Sequence, residues 1–177
     1  MPRLPHPARR AVATLALVFA FPASAAVAAV DLMPHRAVYD LSLAAARTTR
    51  TVNAIDGRMV FAWKDVCDGW AIDYRTRMQM FFGGDGGQDV SWKYSAWESN
   101  DGNRFRYFLR RFRNGEETER LRGEAQLSPD GGGTARIAEP GDRNVSLPAD
   151  TIFPKRHTEK LLGAARQDKQ FFYVHVF

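Results

Sequence analysis

Residues 70–80 read Trp70-Ala71-Ile72-Asp73-Tyr74-Arg75-Thr76-Arg77-Met78-Gln79-Met80, and this stretch decides the fold class. Its even-numbered positions are apolar or Thr, whereas its odd-numbered positions are mostly polar. Because side chains of a β-strand alternate between the two faces of a sheet, a period of two predicts a long strand with one buried face.

The same alternation continues on both sides of this stretch. Strands are predicted near residues 36–43, 59–63, 90–96, 105–109, 117–127 and 134–138. Hairpin-type dipeptides lie between or beside them: Asp56-Gly57, Asp68-Gly69, Asp101-Gly102 and Asn114-Gly115. Sequential strands joined by short turns predict an antiparallel meander, which must bend or close to bury one face. The fold class expected is therefore all-β, a strongly bent antiparallel sheet of spiral or half-barrel type.

One short helix is expected around residues 155–166. Leu161, Leu162 and Ala165 recur there at helical spacing, after Pro154. Thr158 or Thr151 could cap its start, and the helix is expected to pack across the open face of the sheet. Residues 171–177 are almost entirely apolar and predict a further strand. A sheet that stopped at such a strand would expose an apolar edge, so residues 29–177 are expected to form a single β domain that is incomplete at its C-terminus.

Residues 1–28 have the pattern of a secretory signal peptide. Arg3, Arg9 and Arg10 precede an eleven-residue apolar run at 11–21, and small residues follow it. Cleavage is expected after Ala25 or Ala28. A membrane anchor is the alternative, but this run is much shorter than the roughly 20 residues needed to span a bilayer. The mature protein is therefore expected in the periplasm, without a membrane span.

The charge balance does not favour nucleic-acid binding. The formal net charge of +5 falls to +2 when residues 1–25 are removed, because three arginines and no acidic residues go with them. A cluster of five arginines at 104–113 is followed at once by Glu116, Glu117 and Glu119. This order predicts cross-strand charge pairs rather than a basic face.

No motif indicates a cofactor or a metal. His35, His157 and His175 lack the spacing of metal ligands, and the glycine-rich segment 83–87 lacks the Lys-Ser/Thr of a P-loop. Cys67 is the single cysteine, and Asp68 beside it would raise the pKa of a thiol, which argues against a nucleophile. In an oxidising compartment a lone cysteine indicates intermolecular pairing, a free thiol or a missing partner.

Aromatic side chains fall on one side of successive predicted strands. They fill a core, form a concave face for an apolar or amphipathic ligand, or do both. The candidates for the ligand face are Trp63, Trp70, Tyr74, Trp92, Tyr94 and Tyr107.

Several strings, in this order and spacing, resemble the EipB family of periplasmic cell-envelope integrity proteins of alphaproteobacteria. The most specific are the opening His35-Arg36-Ala37-Val38-Tyr39-Asp40, the step Cys67-Asp68-Gly69-Trp70, and Phe153-Pro154-Lys155-Arg156-His157. The segment that contains Trp97-Glu98 also matches. The resemblance covers residues 33–170.

The resemblance implies a spiral-like bent sheet, a role in maintaining the envelope, no enzyme activity, and a periplasmic tetratricopeptide-repeat protein as partner. It also implies a disulfide between the cysteine matching Cys67 and a second cysteine near the far C-terminus, which this chain lacks. Among the residues, Glu98 is expected to pair with an arginine, while His35 and His157 are expected to be structural.

Three functions are weighed on these grounds. The first is a non-enzymatic envelope-integrity factor that works through protein partners. The second is a periplasmic carrier that binds a lipid or another amphipathic ligand on its aromatic face. The third is an envelope hydrolase, which would need a nucleophile and a base within hydrogen-bond reach.

Overall fold

The computed structural model describes residues 31–44, 52–83, 86–129 and 131–177. The predicted signal peptide, residues 1–28, lies outside the described residues. Most of the described chain forms one antiparallel sheet of eight strands in the order β1-β2-β3-β4-β5-β6-β7-β8, so that each strand pairs with its neighbours in sequence. The sheet is bent and open, as predicted.

The strands lie close to the predicted segments, and most are longer than predicted. Their bounds are β1 His35–Ser42, β2 Ala54–Val66, β3 Gly69–Phe81, β4 Gly87–Ser99, β5 Arg104–Arg113, β6 Glu116–Leu127, β7 Gly133–Glu139 and β8 Arg143–Leu147. The short strand β8 was not predicted.

Two of the predicted turns show that the structural context determines whether such a dipeptide forms a turn. Asn114 and Gly115 both have positive φ, at 50° and 84°, and they connect β5 to β6 as a tight hairpin. The turn predicted at Asp56-Gly57 is wrong, because both residues lie within β2. A Cβ on Gly57 would stand 2.6 Å from the Cβ of Met78, so this glycine allows close approach between strands.

The alternation of side chains creates two distinct faces. The face that carries Phe105, called here the inner face, contains the hydrophobic core, and the opposite face is called the outer face. The buried apolar side chains of the core are Trp63, Trp70, Ile72, Ala96, Phe105, Ala125, Ala135 and Phe153. All but Phe153 come from strands β2 to β7.

Helix α1 spans Pro154–Arg166, close to the range predicted. None of its residues is fully buried, and Leu161 and Leu162 remain exposed. The strand predicted at 171–177 is wrong: the structure has a single parallel bridge there, between Ile152 and Val176. Residues 171–177 form only this one bridge, and a strand requires a ladder of consecutive hydrogen-bonded pairs with a neighbouring strand.

The predicted cross-strand charge pairs are partly confirmed. Arg110 pairs with Glu117, and Arg111 contacts Glu119 at 2.9 Å. Arg104 and Arg106 lie elsewhere on the outer face and take no part in these pairs. No helix within the described ranges has the length and apolar content that crossing a membrane would require.

Candidate functional site

The predicted ligand-face aromatics share the inner face of the sheet. Cross-strand register places Tyr74 directly opposite Tyr94, and their rings stack with centroids 4.7 Å apart. Trp63 and Trp70 meet edge to face at 6.0 Å. The register also places Trp92 opposite Thr76 and Tyr107 opposite Ala96, so all six candidates face the same side.

One end of the inner face is packed with aromatic rings. Phe153, which is fully buried, stacks on Phe105 with centroids 5.2 Å apart. Phe177 lies edge-on to Phe105 at 6.2 Å and also contacts Tyr107 and Phe153. Because these rings pack against one another, this end of the inner face is part of the hydrophobic core.

On the inner face of the described part of the sheet, Trp63 and Thr76 each have a buried polar atom without a hydrogen-bond partner. These atoms are Nε1 of Trp63, whose side chain is 9% exposed, and Oγ1 of Thr76, which is 2% exposed. Burying a polar group without a partner costs free energy, so a ligand that reached either atom would gain from pairing with it. Thr76 was not among the predicted site residues, although its position in the alternating pattern already placed it on this face.

The residues of the family motifs meet where β4 reaches the start of α1. The Glu98 carboxylate accepts a hydrogen bond from the backbone N–H of Lys155 at 2.7 Å and another from that of Arg156 at 3.3 Å. Since the first N–H groups of a helix have no partner within it, Glu98 caps α1 from a distant strand. The predicted pairing of Glu98 with an arginine side chain is therefore wrong.

The predicted threonine caps are wrong as well. Phe153 occupies the N-cap position, and no side-chain cap comes from the helix's own flank. Thr158 lies one turn inside α1 and donates its hydroxyl to the carbonyl of Pro154. Thr151 lies two residues before the N-cap, and its hydroxyl oxygen is buried without a partner.

Burial governs the electrostatics of Glu98. Its side chain is fully buried, and desolvation raises its pKa to about 7, while the two backbone N–H groups and Lys155 act in the opposite direction. Lys155 itself is paired with Glu159 at 2.7 Å. The junction therefore holds a carboxyl group that titrates near neutrality.

Asp68, Gly69 and Trp97 support the same junction. The indole N–H of Trp97 donates to the Asp68 carboxylate at 3.2 Å. A Cβ on Gly69 would lie 2.2 Å from the carbonyl oxygen of Glu98, so only glycine fits there. The motifs around residues 68, 97 and 153 are thus one structural unit, although they are far apart in sequence.

The two predicted motif histidines have structural contacts. His157 lies in the first turn of α1, donates its backbone N–H to the Phe153 carbonyl at 2.9 Å, and packs its ring 6.0 Å from that of Phe172. His35 lies on β1, with Nδ1 2.9 Å from the Met33 carbonyl oxygen and its ring beside Phe61 and Trp63.

The remaining motif residues of β1 are not brought to the junction. Arg36, Tyr39 and Asp40 are exposed, and Asp40 pairs with Arg58 on β2 at 2.9 Å. The opening motif therefore contributes to the first edge of the sheet.

Cys67 lies in the turn between β2 and β3 as an exposed, free thiol. The disulfide implied by the family resemblance is not formed, because this chain has only one cysteine. Within the described ranges, no three side chains from His, Cys, Asp and Glu are grouped so that they could hold a metal ion.

Comparison with known proteins places this arrangement in a family. The sequence model of the EipB-like family matches residues 26–177. The chain is 30% identical over 156 residues to the cell envelope integrity protein EipB of Brucella abortus (strain 2308), an alignment covering 88% of this chain and 55% of that protein.

A solved structure agrees with this match. The crystal structure of a β-barrel-like protein of unknown function from Brucella abortus superposes with a TM-score of 0.78 at 30% identity, covering 84% of this chain and 61% of that one. The chain thus spans somewhat more than half the length of the relatives it matches. Its sequence match and its bent sheet both show that the chain belongs to the EipB-like family.

Proposed function

We propose that this protein is a non-enzymatic periplasmic factor that helps to maintain the cell envelope through protein partners. The observation that carries the proposal is the match, over 88% of this chain, to a protein named for cell envelope integrity. The matched region includes the junction between Glu98 and helix α1, which is a device for holding the fold together. The proposed partner is a periplasmic tetratricopeptide-repeat protein.

Deletion of the gene, followed by complementation, tests the envelope role. We expect the deletion strain to lose viability in detergent or in a cell-wall antibiotic, and the intact gene to restore it. Phe153→Ala should fail to restore viability because it removes a fully buried ring, whereas Phe171→Ala should restore it because that ring is 73% exposed. Unchanged sensitivity of the deletion strain would contradict the envelope role.

The partner can be tested separately through Cys67. This exposed single thiol allows a photo-crosslinker to be attached at one defined position in the purified protein. We expect crosslinking to the purified tetratricopeptide-repeat protein, and competition by unlabelled protein. Absence of a complex both by crosslinking and by co-elution would argue against this partner while leaving the envelope role intact.

A second candidate function is that of a carrier for a lipid or an amphipathic ligand on the inner face. The unpartnered Nε1 of Trp63 and Oγ1 of Thr76 favour it, since a ligand's polar group would satisfy them. We expect native mass spectrometry of the full chain to show a bound lipid, and Trp63→Phe to reduce its occupancy. Purification without any lipid would argue against the carrier.

A further inference from the structure

A row of side chains crosses six strands on the outer face, opposite the aromatic stripe. Register aligns one residue from each of β3 to β8: Ala71, Trp97, Arg106, Glu124, Arg136 and Asn144. With strands spaced about 4.8 Å apart, the row extends over about 24 Å.

Two neighbouring cavities lie on opposite sides of this row and share its central residues. One has a volume of about 610 Å³ and the other about 520 Å³, and both are lined by Trp97, Arg106, Glu124 and Arg136. Each volume falls within the roughly 300–1,000 Å³ typical of small-molecule sites.

The two cavities differ in chemistry. The first is lined mainly by small and apolar residues, including Ala71, Phe108 and Ala138, and also by the charged residues Asp73 and Arg122. The second extends over polar residues, including Arg104, Gln126 and Asn144. The two cavities together form one groove, called here the outer groove, whose lining changes from mainly apolar to polar in the strand direction, with Trp97 and Arg106 at the boundary.

The charged groups of the groove are not equally available. Arg122 contacts Glu139 at 3.3 Å, and Arg136 contacts Asp142 at 2.7 Å, so these two guanidinium groups are already neutralised. Among the described residues, Arg104 and Arg106 have no carboxylate within ion-pairing distance. Both are exposed, and their guanidinium carbons lie 5.5 Å and 4.5 Å from the centre of the Trp97 ring.

The hydrogen bond to Asp68 fixes Trp97, and the arginines are held over its ring by cation–π attraction. Hydrogen-bond donors of Arg104 and Arg106 that are not in contact with Trp97 are free to bind an oxyanion in the forked geometry that guanidinium groups favour. Among the described residues, Glu124, which faces Arg106 across the strands, and Asp68, which lines the second cavity, also have no ion pair, so the unpaired side chains of the groove are two arginines and two carboxylates. The site for an anion is therefore set by the two adjacent guanidinium groups of Arg104 and Arg106, not by the net charge of the groove.

We propose that this outer groove binds an amphipathic organic anion: a carboxylate or phosphate monoester attached to a compact apolar body. The oxyanion lies at Arg104 and Arg106, and the apolar part lies over Ala71, Phe108 and Ala138. The groove is separate from the inner-face candidate, and its ligand does not depend on the proposed envelope role.

Calorimetric titration of the full chain with octyl phosphate, below the concentration at which it aggregates, tests the site. We expect saturable one-to-one binding that weakens with added salt, and little binding of octanol or octylammonium, which share the apolar part but lack the anion. Arg106→Gln should weaken binding about tenfold through loss of a charge-assisted hydrogen bond. Glu124→Gln should strengthen it about threefold by removing a like charge.

Arg75→Gln is the matched control, because Arg75 is an exposed arginine of the same face that does not line the groove. Equal weakening by Arg75→Gln and Arg106→Gln, equal binding of octyl phosphate and octanol, or loss of binding in the inner-face variant Trp63→Phe would overturn the proposal. Thermal unfolding of each variant must match that of the parent, so that misfolding is not mistaken for lost binding.

Vesicles distinguish the two sources of such an anion. Phosphatidylcholine vesicles containing phosphatidic acid, whose headgroup is a phosphate monoester, should retain the parent protein but not Arg106→Gln if the natural ligand is a lipid headgroup. Binding of octyl phosphate without retention on these vesicles assigns a free amphiphile, and either outcome supports the site. Failure of both probes would overturn it.

Discussion

The carboxylate of Glu98 and the backbone N–H of Lys155 are joined by a hydrogen bond of 2.7 Å, although 57 residues separate them in sequence. Helix α1 therefore owes its N-terminal cap to strand β4. The fully buried Phe153 lies immediately before the capped turn. This relationship ties the helix to the sheet by one polar and one apolar contact, and each can be tested separately.

Removal of the cap should destabilise the protein. Glu98→Ala leaves two helix N–H groups without their acceptor in a buried setting, and we expect a loss of about 2 kcal/mol in the free energy of unfolding. Urea denaturation followed by tryptophan fluorescence measures it. Glu116→Ala, at an exposed position in β6, is the control and should change the value by less than about 0.5 kcal/mol. Equal effects of the two substitutions would contradict the role of Glu98.

Stability should depend on pH through the same residue. Because burial raises the pKa of Glu98 to about 7, from an ordinary value of 4.5, the folded state binds this proton more tightly than the unfolded state does. Its contribution to stability is therefore greatest below pH 4.5 and declines as the pH rises to about 7. We expect the urea midpoint of the parent, relative to that of Glu98→Gln, to fall between pH 5 and pH 8.

The exposed acids do not obscure this comparison. Hydrogen bonds from Arg120 and Arg110 lower the pKa of Glu117 from 4.5 to about 2, so its contribution to stability is lost only as the pH falls from about 4.5 toward 2. Glutamine at position 98 retains an oxygen that accepts one helix N–H and has no carboxyl to titrate. If the parent and Glu98→Gln showed parallel midpoints across this range, the pKa of Glu98 would not be raised.

The apolar contact at Phe153 should contribute more to the free energy of unfolding than the hydrogen bonds from helix α1 to Glu98. Phe153→Ala removes a fully buried ring that stacks on Phe105, and large-to-small changes of this kind cost about 3–5 kcal/mol. Phe171→Ala, on a ring that is 73% exposed, should cost less than about 0.5 kcal/mol. Denaturant unfolding of the two variants side by side gives the difference, and similar losses would show that the Phe153 contact is not central to the core.

Cys67 should react as an accessible thiol in the folded protein. It is exposed in the β2–β3 turn, so a thiol reagent such as DTNB should modify one group per chain without denaturant. The absorbance of the thiolate released from the reagent measures the reaction, and the Cys67→Ser variant provides the blank. A requirement for denaturant would mean that the turn is covered in solution.

The strands that sequence predicted well are those with strong alternation. In β3, Trp70, Ile72 and Tyr74 mark the inner face, and the structure places them there. Strand β8 was missed because Val145 and Leu147 alone among its five residues are apolar. The turn predicted at Asp56-Gly57 was wrong because this dipeptide occurs both in hairpin turns and in strands where two backbones approach closely. Here the close approach of Met78 on β3 requires the glycine.

The site was predictable only where side chains carried the signal. The spacing of the aromatic residues predicted that they share the inner face of the sheet. The hydrogen-bond partners of Glu98 could not be predicted, because they are backbone N–H groups, which every residue except proline has. The outer groove depends on which arginines are left unpaired. Arg110 forms an ion pair with Glu117, whereas Arg106 lies over the ring of Trp97. This difference arises from the register of β5 and β6 and from the bulge near Arg111, not from composition.

The sequential strand order has a consequence for how the polypeptide acquires its structure. Each strand pairs with the strand that precedes it in sequence, so loop closure between neighbours costs little chain entropy, and pairing can advance from β1 toward β8 one hairpin at a time. The distant contacts made by residues 153–156 with β4 and β5 come after this advance. Folding is therefore expected to finish with helix docking, and Phe153→Ala should accelerate unfolding far more than it slows the formation of the sheet.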